Sequence, residues 1–322
     1  MSHLIGAALG GHIEDTMATI AMDDRLKLRR IHPTFGAEIS GLDLSRPLDE
    51  ATFAAVREAF ENHGLLVFRN QSLSMDEQSA FSRRFGPLEA FPEEAVQKVK
   101  PEFYNISNVD ESNRIAGRDS VQWRLLQFNA LWHTDSSYRT IPALASLLYA
   151  LEVPDASETG GQTEYADMFA AYDAMPESLR TRMVGRHMVH TPEFDRVLDP
   201  GLPPFPNEKK WGLPPVTHPI IRYHRDKKRC SIYVTMNAGS EVGGMELDQG
   251  RAFLKEIVAF ATEKRFVYRH QWQPGDLAMW DNRRLLHRAV PFDVDRQRRV
   301  MRRTTVAGTE PVFAPWMPEA QA

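Results

Sequence analysis

Cysteine is nearly absent. Cys230 stands alone in 322 residues, which excludes an intrachain disulfide and a cysteine-rich zinc site and suits a reducing, cytoplasmic setting. Long hydrophobic runs are missing as well: no stretch is long enough to span a bilayer. Leu4 to Leu9 is short, broken by glycine and without a basic start, so no signal peptide is expected. Nor is there a basic excess. With 39 Lys and Arg against 43 Asp and Glu the formal net charge is −4, which argues against nucleic acid or an anionic membrane as partner. Repeats, low-complexity segments and a composition shift that would mark a domain boundary are lacking. What is present is a chain 42% hydrophobic, enough for a substantial core.

Residues 1–26 carry no steady period and read as an N-terminal extension, so the folded unit is expected over 27–322. A helix is predicted from about Asp49, with Phe53, Val56 and Phe60 on one face and Gly64 closing it. Leu65 to Phe68 is a continuous apolar run of strand length. Ser74 and Glu77 form a capping box for a second helix, and Asp167 caps another that runs to Met175. Residues 89–129 are irregular and polar apart from a possible strand at Tyr104 to Val109, and such a loop suits a lid or a binding segment. Residues 191–215, rich in proline and charge, read as a surface excursion. A hairpin is predicted around Arg225 to Lys228, a helix over Leu247 to Glu263, and strands at Ala145 to Val153, Gln162 to Ala166, Arg265 to Trp272, Asp276 to Asp281 and Arg299 to Val306. The fold class expected is mainly β with flanking helices, a double-stranded β-helix or jelly roll.

The chemistry centres on Leu131-Trp132-His133-Thr134-Asp135-Ser136-Ser137. On an extended strand His133 and Asp135 would project from one side, within reach of a single ion. By itself such a pair is common in a chain with 11 His and 43 acidic residues. One more imidazole would complete the two-His, one-carboxylate face of non-haem Fe(II) oxygenases, and His287, after the strand-like run to Trp280, is the best candidate. Remote strands become neighbours in a jelly roll, so the separation in sequence is no objection.

Arg298 to Thr305 is the second informative stretch. As a strand it puts Arg299, Met301 and Arg303 on one face and Arg298, Val300 and Arg302 on the other. Two inward arginines are costly unless they meet anions, and a guanidinium fork suits carboxylates. The bland alternative, a solvated basic edge strand, loses ground because the metal motif lies next to it. His187, His190, His218, His224 and His270 lack a carboxylate at metal spacing and read as core, hairpin or surface residues. Trp132 and Trp280 read as core packing.

The chain resembles the taurine/2,4-dichlorophenoxyacetate dioxygenase family of Fe(II)- and 2-oxoglutarate-dependent oxygenases from about Leu28 to Gly308. The blocks that carry the resemblance are Gly36 to Gly41, Leu65 to Arg69, Arg84 to Leu88, Trp132 to Ser137, Gly160-Gly161-Gln162-Thr163, Trp272 with Gly275-Asp276, Trp280 to Arg283 with His287-Arg288, and the Arg299/Arg303 strand. Asp135 to Tyr138, Arg265 to His270 and Leu286 to Arg288 are most similar to the aryloxyalkanoate branch. The taurine branch has a histidine near the position of Phe91, which this chain lacks. It also departs from the aryloxyalkanoate branch at Thr235-Met236-Asn237-Ala238.

The resemblance implies Fe(II) held by His133, Asp135 and His287, with 2-oxoglutarate and O₂ as cosubstrates. It implies that Thr163 and Arg299 hold the distal carboxylate of 2-oxoglutarate, that Arg303 receives the anionic group of the substrate, and that Asn129 lines the same pocket. The expected reaction is hydroxylation of a small organic anion, above all an aryloxyalkanoate, with release of succinate and CO₂. An alkyl sulfate or sulfonate is the alternative substrate. A homo-oligomer is expected. Two remoter readings are a zinc hydrolase on the same ligands, which leaves Arg299 and Thr163 without a task, and a non-catalytic jelly-roll binding module.

Overall fold

In the computed structural model the described residues are 26–90, 100–155, 160–192 and 213–316. The expected N-terminal extension, up to residue 25, and most of the proline-rich excursion lie outside them.

Helix α1 (Glu50–His63) starts where Asp49 accepts a hydrogen bond from the Thr52 amide, and it stops at Gly64, whose φ of 69° is left-handed. The Ser74/Glu77 capping box opens α2 (Met75–Arg83). Both helices pack on a seven-stranded sheet ordered β1-β2-β3-β13-β5-β15-β4. Its members are β1 (Lys27–Arg30), β2 (Ala37–Ser40), β3 (Leu65–Phe68), β4 (Phe103–Ser107), β5 (Ala145–Glu152), β13 (Leu277–Asp281) and β15 (Val300–Val306). The strands β3 and β13 read as unbroken apolar runs because both of their faces are covered. Leu66, Phe68, Leu277 and Met279 meet the helices, while Leu65, Val67, Ala278 and Trp280 point to the interior.

Across the interior lies a smaller sheet, β12-β6-β14, built from β6 (Thr163–Asp167), β12 (Val267–His270) and β14 (Leu285–Ala289). A third sheet, β11-β7-β8, joins β7 (His187–His190), β8 (Val216–Pro219) and β11 (Gly239–Val242), and the predicted hairpin is β9 (Ile221–His224) with β10 (Arg229–Ile232). The helices α4 (Met168–Asp173), α5 (Glu177–Met183) and α6 (Leu247–Ala261) cover this side with Phe253, Leu254, Ile257 and Met183. The arrangement is the expected jelly roll, with the candidate site between its walls.

Two local expectations are corrected. Residues 89–129 contain a helix, α3 (Val121–Asn129), capped by the Ser120 side chain. His287 lies on a strand of its own, β14, that the sequence reading did not mark. Among the described residues no helix is long and apolar enough to cross a membrane.

Candidate active site

His133 and Asp135 are not on a strand. His133 forms an isolated antiparallel bridge with His287, each amide donating to the other's carbonyl at 3.0 and 2.8 Å, and Asp135 opens a turn in which Ser136 takes a φ of 54°. The bridge sets the two imidazoles side by side, 4.1 Å between ring centroids and tilted by 46°. Together with Asp135 they form a buried trio whose ligand atoms all lie within 4.8 Å of one another, and His287 Nε2 is 3.6 Å from Asp135 Oδ2.

The donor set fits a divalent iron. The His133 Nδ1 lies 2.6 Å from the Leu131 carbonyl, so it carries the proton and Nε2 is left as the ligand atom. Burial pushes both imidazoles below their ordinary value, which keeps them neutral. Burial opposes ionisation of Asp135, but Arg303, His287, His133 and the Ser146 hydroxyl outweigh it and hold the carboxyl down at about 2. Two neutral imidazoles and one carboxylate suit a hard-to-borderline dication.

The turn is clamped from β13 and β5. Asn282 Oδ1 accepts from the Trp280 indole at 3.1 Å and the Asp135 amide at 3.2 Å, while its Nδ2 donates to Ser146 Oγ at 3.0 Å. Ser146 in turn donates to Asp135 at 2.6 Å. On the far side Ser136 donates to the buried Glu89 at 2.7 Å. The sequence gives no signal for Ser146 or Glu89, because their partners are fixed only by the fold.

Thr163 and Arg299 come together. Gly160 and Gly161 make the turn into β6, where a Cβ on Gly160 would sit 2.0 Å from the Pro291 carbonyl oxygen. Arg299 Nε donates to the Gly161 carbonyl at 3.1 Å and Nη2 to the Thr163 hydroxyl at 3.3 Å. The Trp272 indole donates to the same Thr163 oxygen at 2.9 Å. Two donors occupy the lone pairs of that hydroxyl, so its own proton is turned away, free to be donated. Arg299 is 1% exposed and its polar contacts are neutral; burial lowers it to about 10. A buried guanidinium hydrogen-bonded only to neutral groups is a place for a carboxylate.

Arg303 faces the metal side, as strand alternation requires. Its guanidinium pairs with Asp135 and stacks over Tyr104, 5.1 Å from the ring centroid. Arg302 points the other way, to Gln78 and Tyr149, and Arg298 is outside, on Glu152. Above Arg303 opens a cleft of about 780 Å³ including its mouth, floored by His133 and Asp135 and walled by Tyr104, Leu125, Phe128 and Pro192. Asn129 and Asn237 are its neutral amides, and the Thr235 hydroxyl fixes the latter through Oδ1 at 2.8 Å. The α3 residues Leu125 and Phe128 were missed along with their helix.

The other histidines serve elsewhere. His270 bonds Asp276 at 3.2 Å in the interior, and His218 Nε2 is 3.0 Å from the Arg139 carbonyl. Trp280 packs on the His287 ring at 4.6 Å, and Trp132 lies under Arg288.

A jelly roll with two histidines and one aspartate on its inner wall, beside a buried arginine awaiting an anion, defines an Fe(II)- and 2-oxoglutarate-dependent dioxygenase. The chain belongs to the taurine catabolism dioxygenase TauD/TfdA family, which it matches over residues 27–305. It is 37% identical over 280 residues to the alpha-ketoglutarate-dependent 2,4-dichlorophenoxyacetate dioxygenase of Cupriavidus pinatubonensis, covering 86% of this chain and 96% of the relative. It is 30% identical to the alpha-ketoglutarate-dependent sulfate ester dioxygenase of Pseudomonas putida, covering 88% of this chain and 90% of that one. The crystal structure of AAD-2 with Mn(II) and N-oxalylglycine superposes with a TM-score of 0.79 at 34% identity, over 90% of this chain and 99% of that one.

Proposed function

We propose that the protein hydroxylates an aryloxyalkanoate at the carbon beside the ether oxygen. The observation that carries this reading is Arg303, a cation in the floor of an apolar, aromatic-walled cleft and in contact with the candidate ligand Asp135. In this reading His133, Asp135 and His287 hold Fe(II), and Thr163 with Arg299 holds the distal carboxylate of 2-oxoglutarate. Fe(II) held there would supply the oxidative decarboxylation of 2-oxoglutarate by O₂ to succinate and CO₂, coupled to hydroxylation of the substrate.

The chain's own residues aim that chemistry. Arg303 receives the substrate carboxylate through charge-assisted hydrogen bonds and so fixes which C–H bond faces the metal. Leu125, Phe128 and Tyr104 hold the aryl ring and displace water, with Asn129 at the rim of the same pocket. The hydroxylated product is a hemiacetal, which collapses to a phenol and a 2-oxo acid, so hydroxylation becomes ether cleavage. We further assign the protein to the cytoplasm, in line with its one cysteine, and expect it to act without nucleic acid or membrane and as a homo-oligomer.

The similarity to a sulfate ester dioxygenase keeps alkyl sulfates as the second substrate class, since Arg303 suits either anion. Incubation with O₂, 2-oxoglutarate and a panel of aryloxyalkanoates, alkyl sulfates and sulfonates separates them. Equimolar phenol and succinate from an aryloxyacid supports the reading; succinate driven only by alkyl sulfates or sulfonates overturns it.

A further inference from the structure

Tyr165 is a residue of the inner wall to which nothing above gives a task. It follows Thr163 by two positions on β6, so both side chains share a face, and the strand register sets it beside His287 on β14 and Tyr268 on β12. The phenol therefore stands between the Thr163 hydroxyl and a candidate metal ligand, along the path that a 2-oxo acid chelated at one end and anchored at the other must follow. Its ring is fixed on two sides, stacked 6.2 Å from the His287 ring at an interplanar angle of 23° and 5.5 Å from Trp280.

The hydroxyl is not explained by that packing. Tyr165 is 0% exposed, and its Oη has no hydrogen-bond partner among the described residues. Folded proteins pair nearly all such groups, and a phenylalanine would fill the same slot without the cost of an orphaned donor. The second observation is the neighbour it has. Arg299 lies near enough for its guanidinium to oppose part of what burial does to the phenol. A phenol keeps its proton at neutral pH, so toward an anion it acts as a donor. Three donors thus converge without an anionic partner: the Arg299 guanidinium, the outward-turned Thr163 hydroxyl and the Tyr165 phenol.

We propose that the Tyr165 hydroxyl donates a hydrogen bond to the distal carboxylate of 2-oxoglutarate, completing with Thr163 and Arg299 a three-donor cradle. The assignment rests on the cosubstrate roles given under Proposed function. It makes Tyr165 a determinant of cosubstrate choice: a 2-oxo acid that lacks the distal carboxylate gains nothing from the phenol.

Anaerobic titration of the Fe(II)-loaded protein, followed through the visible metal-to-ligand charge-transfer band, tests it without turnover. Tyr165→Phe deletes only the hydroxyl. The variant is expected to bind 2-oxoglutarate about tenfold or more weakly, as for loss of a hydrogen bond to a charged group. Its affinity for Fe(II) and for 2-oxopentanoate, which keeps the 2-oxo acid head and ends in a methyl group, should match the wild type. Its melting temperature should be no lower, since no partner of the hydroxyl in the fold is lost. Equal 2-oxoglutarate affinity in the two proteins overturns the proposal, as does equal weakening of both 2-oxo acids or a lowered melt that points to a structural partner. A wild-type protein with no band would instead sink the dioxygenase reading and the proposal with it.

Discussion

Arg299 and Arg303 have the same side chain four residues apart, yet their surroundings differ. Arg299 is sealed among neutral acceptors and Tyr165, whereas Arg303 reaches the open cleft and Asp135. Arg303→Ala is expected to weaken anaerobic binding of the organic substrate by about tenfold to a hundredfold, the loss of charge-assisted hydrogen bonds, and to leave 2-oxoglutarate binding nearly unchanged. A variant that chiefly demanded more 2-oxoglutarate would reverse the division. Trp272 sets the polarity of Thr163 through its indole N–H. Trp272→Phe frees the hydroxyl to rotate and should raise KM for 2-oxoglutarate severalfold, with kcat at saturation little altered; steady-state kinetics checks it, and an unchanged KM would leave the indole a packing role alone. Strand alternation was enough to separate Arg299 and Arg303 from Arg298 and Arg302 in the sequence. Ser146 was beyond reach, because a lone serine in an apolar run shows nothing until β5 is set against the Asp135 turn.

Among the elements, those with strong local signals were legible. The Asp49 cap and Gly64 bound α1, and the Ser74 capping box opens α2, as the sequence predicts. Helix α3 was missed although Val121, Leu125 and Phe128 follow helical spacing: it is only nine residues long, and its first turn has no acid. Strand β14 has only Leu285-Leu286 to mark it and owes its form to pairing with β6. The expected His133–Asp135 strand failed for a related reason: one bridge to His287 suffices to fix the pair, and a turn then brings the carboxylate across. The β13–β14 connection that delivers His287 is held by Arg283, whose Nε and Nη2 donate to the buried Asp281 at 2.9 and 2.8 Å. Arg283→Ala leaves that carboxylate buried without its cation, a cost of about 3 kcal/mol. Thermal melting should show a fall of roughly 5 °C, and a shift of a degree or less would mean that the pair does little.

At the scale of the molecule, the jelly roll brings together a turn after α3, the middle of β14, the turn into β6 and the start of β15, which is why block order in the sequence announced the site while no single segment contained it. Burial has a price in acid. His63 and His224 are held at about 4, burial being the main cause and nearby arginines adding to it, against 6.5 for a free imidazole. As pH falls, the unfolded chain takes up these protons first. Stability is therefore fully present above about 6.5 and drains away toward pH 4. Melting temperatures should be flat above pH 7 and decline below 6.5; a protein that melts higher on mild acidification would contradict this. In the proposed function His133, Asp135 and His287 hold the iron that 2-oxoglutarate chelates. The most direct test is anaerobic addition of Fe(II) and 2-oxoglutarate to the wild type and to His133→Ala, with the visible charge-transfer band recorded. A band in the wild type that is abolished in the folded variant is the expected result; a band of undiminished strength in His133→Ala, or none in the wild type, would contradict it.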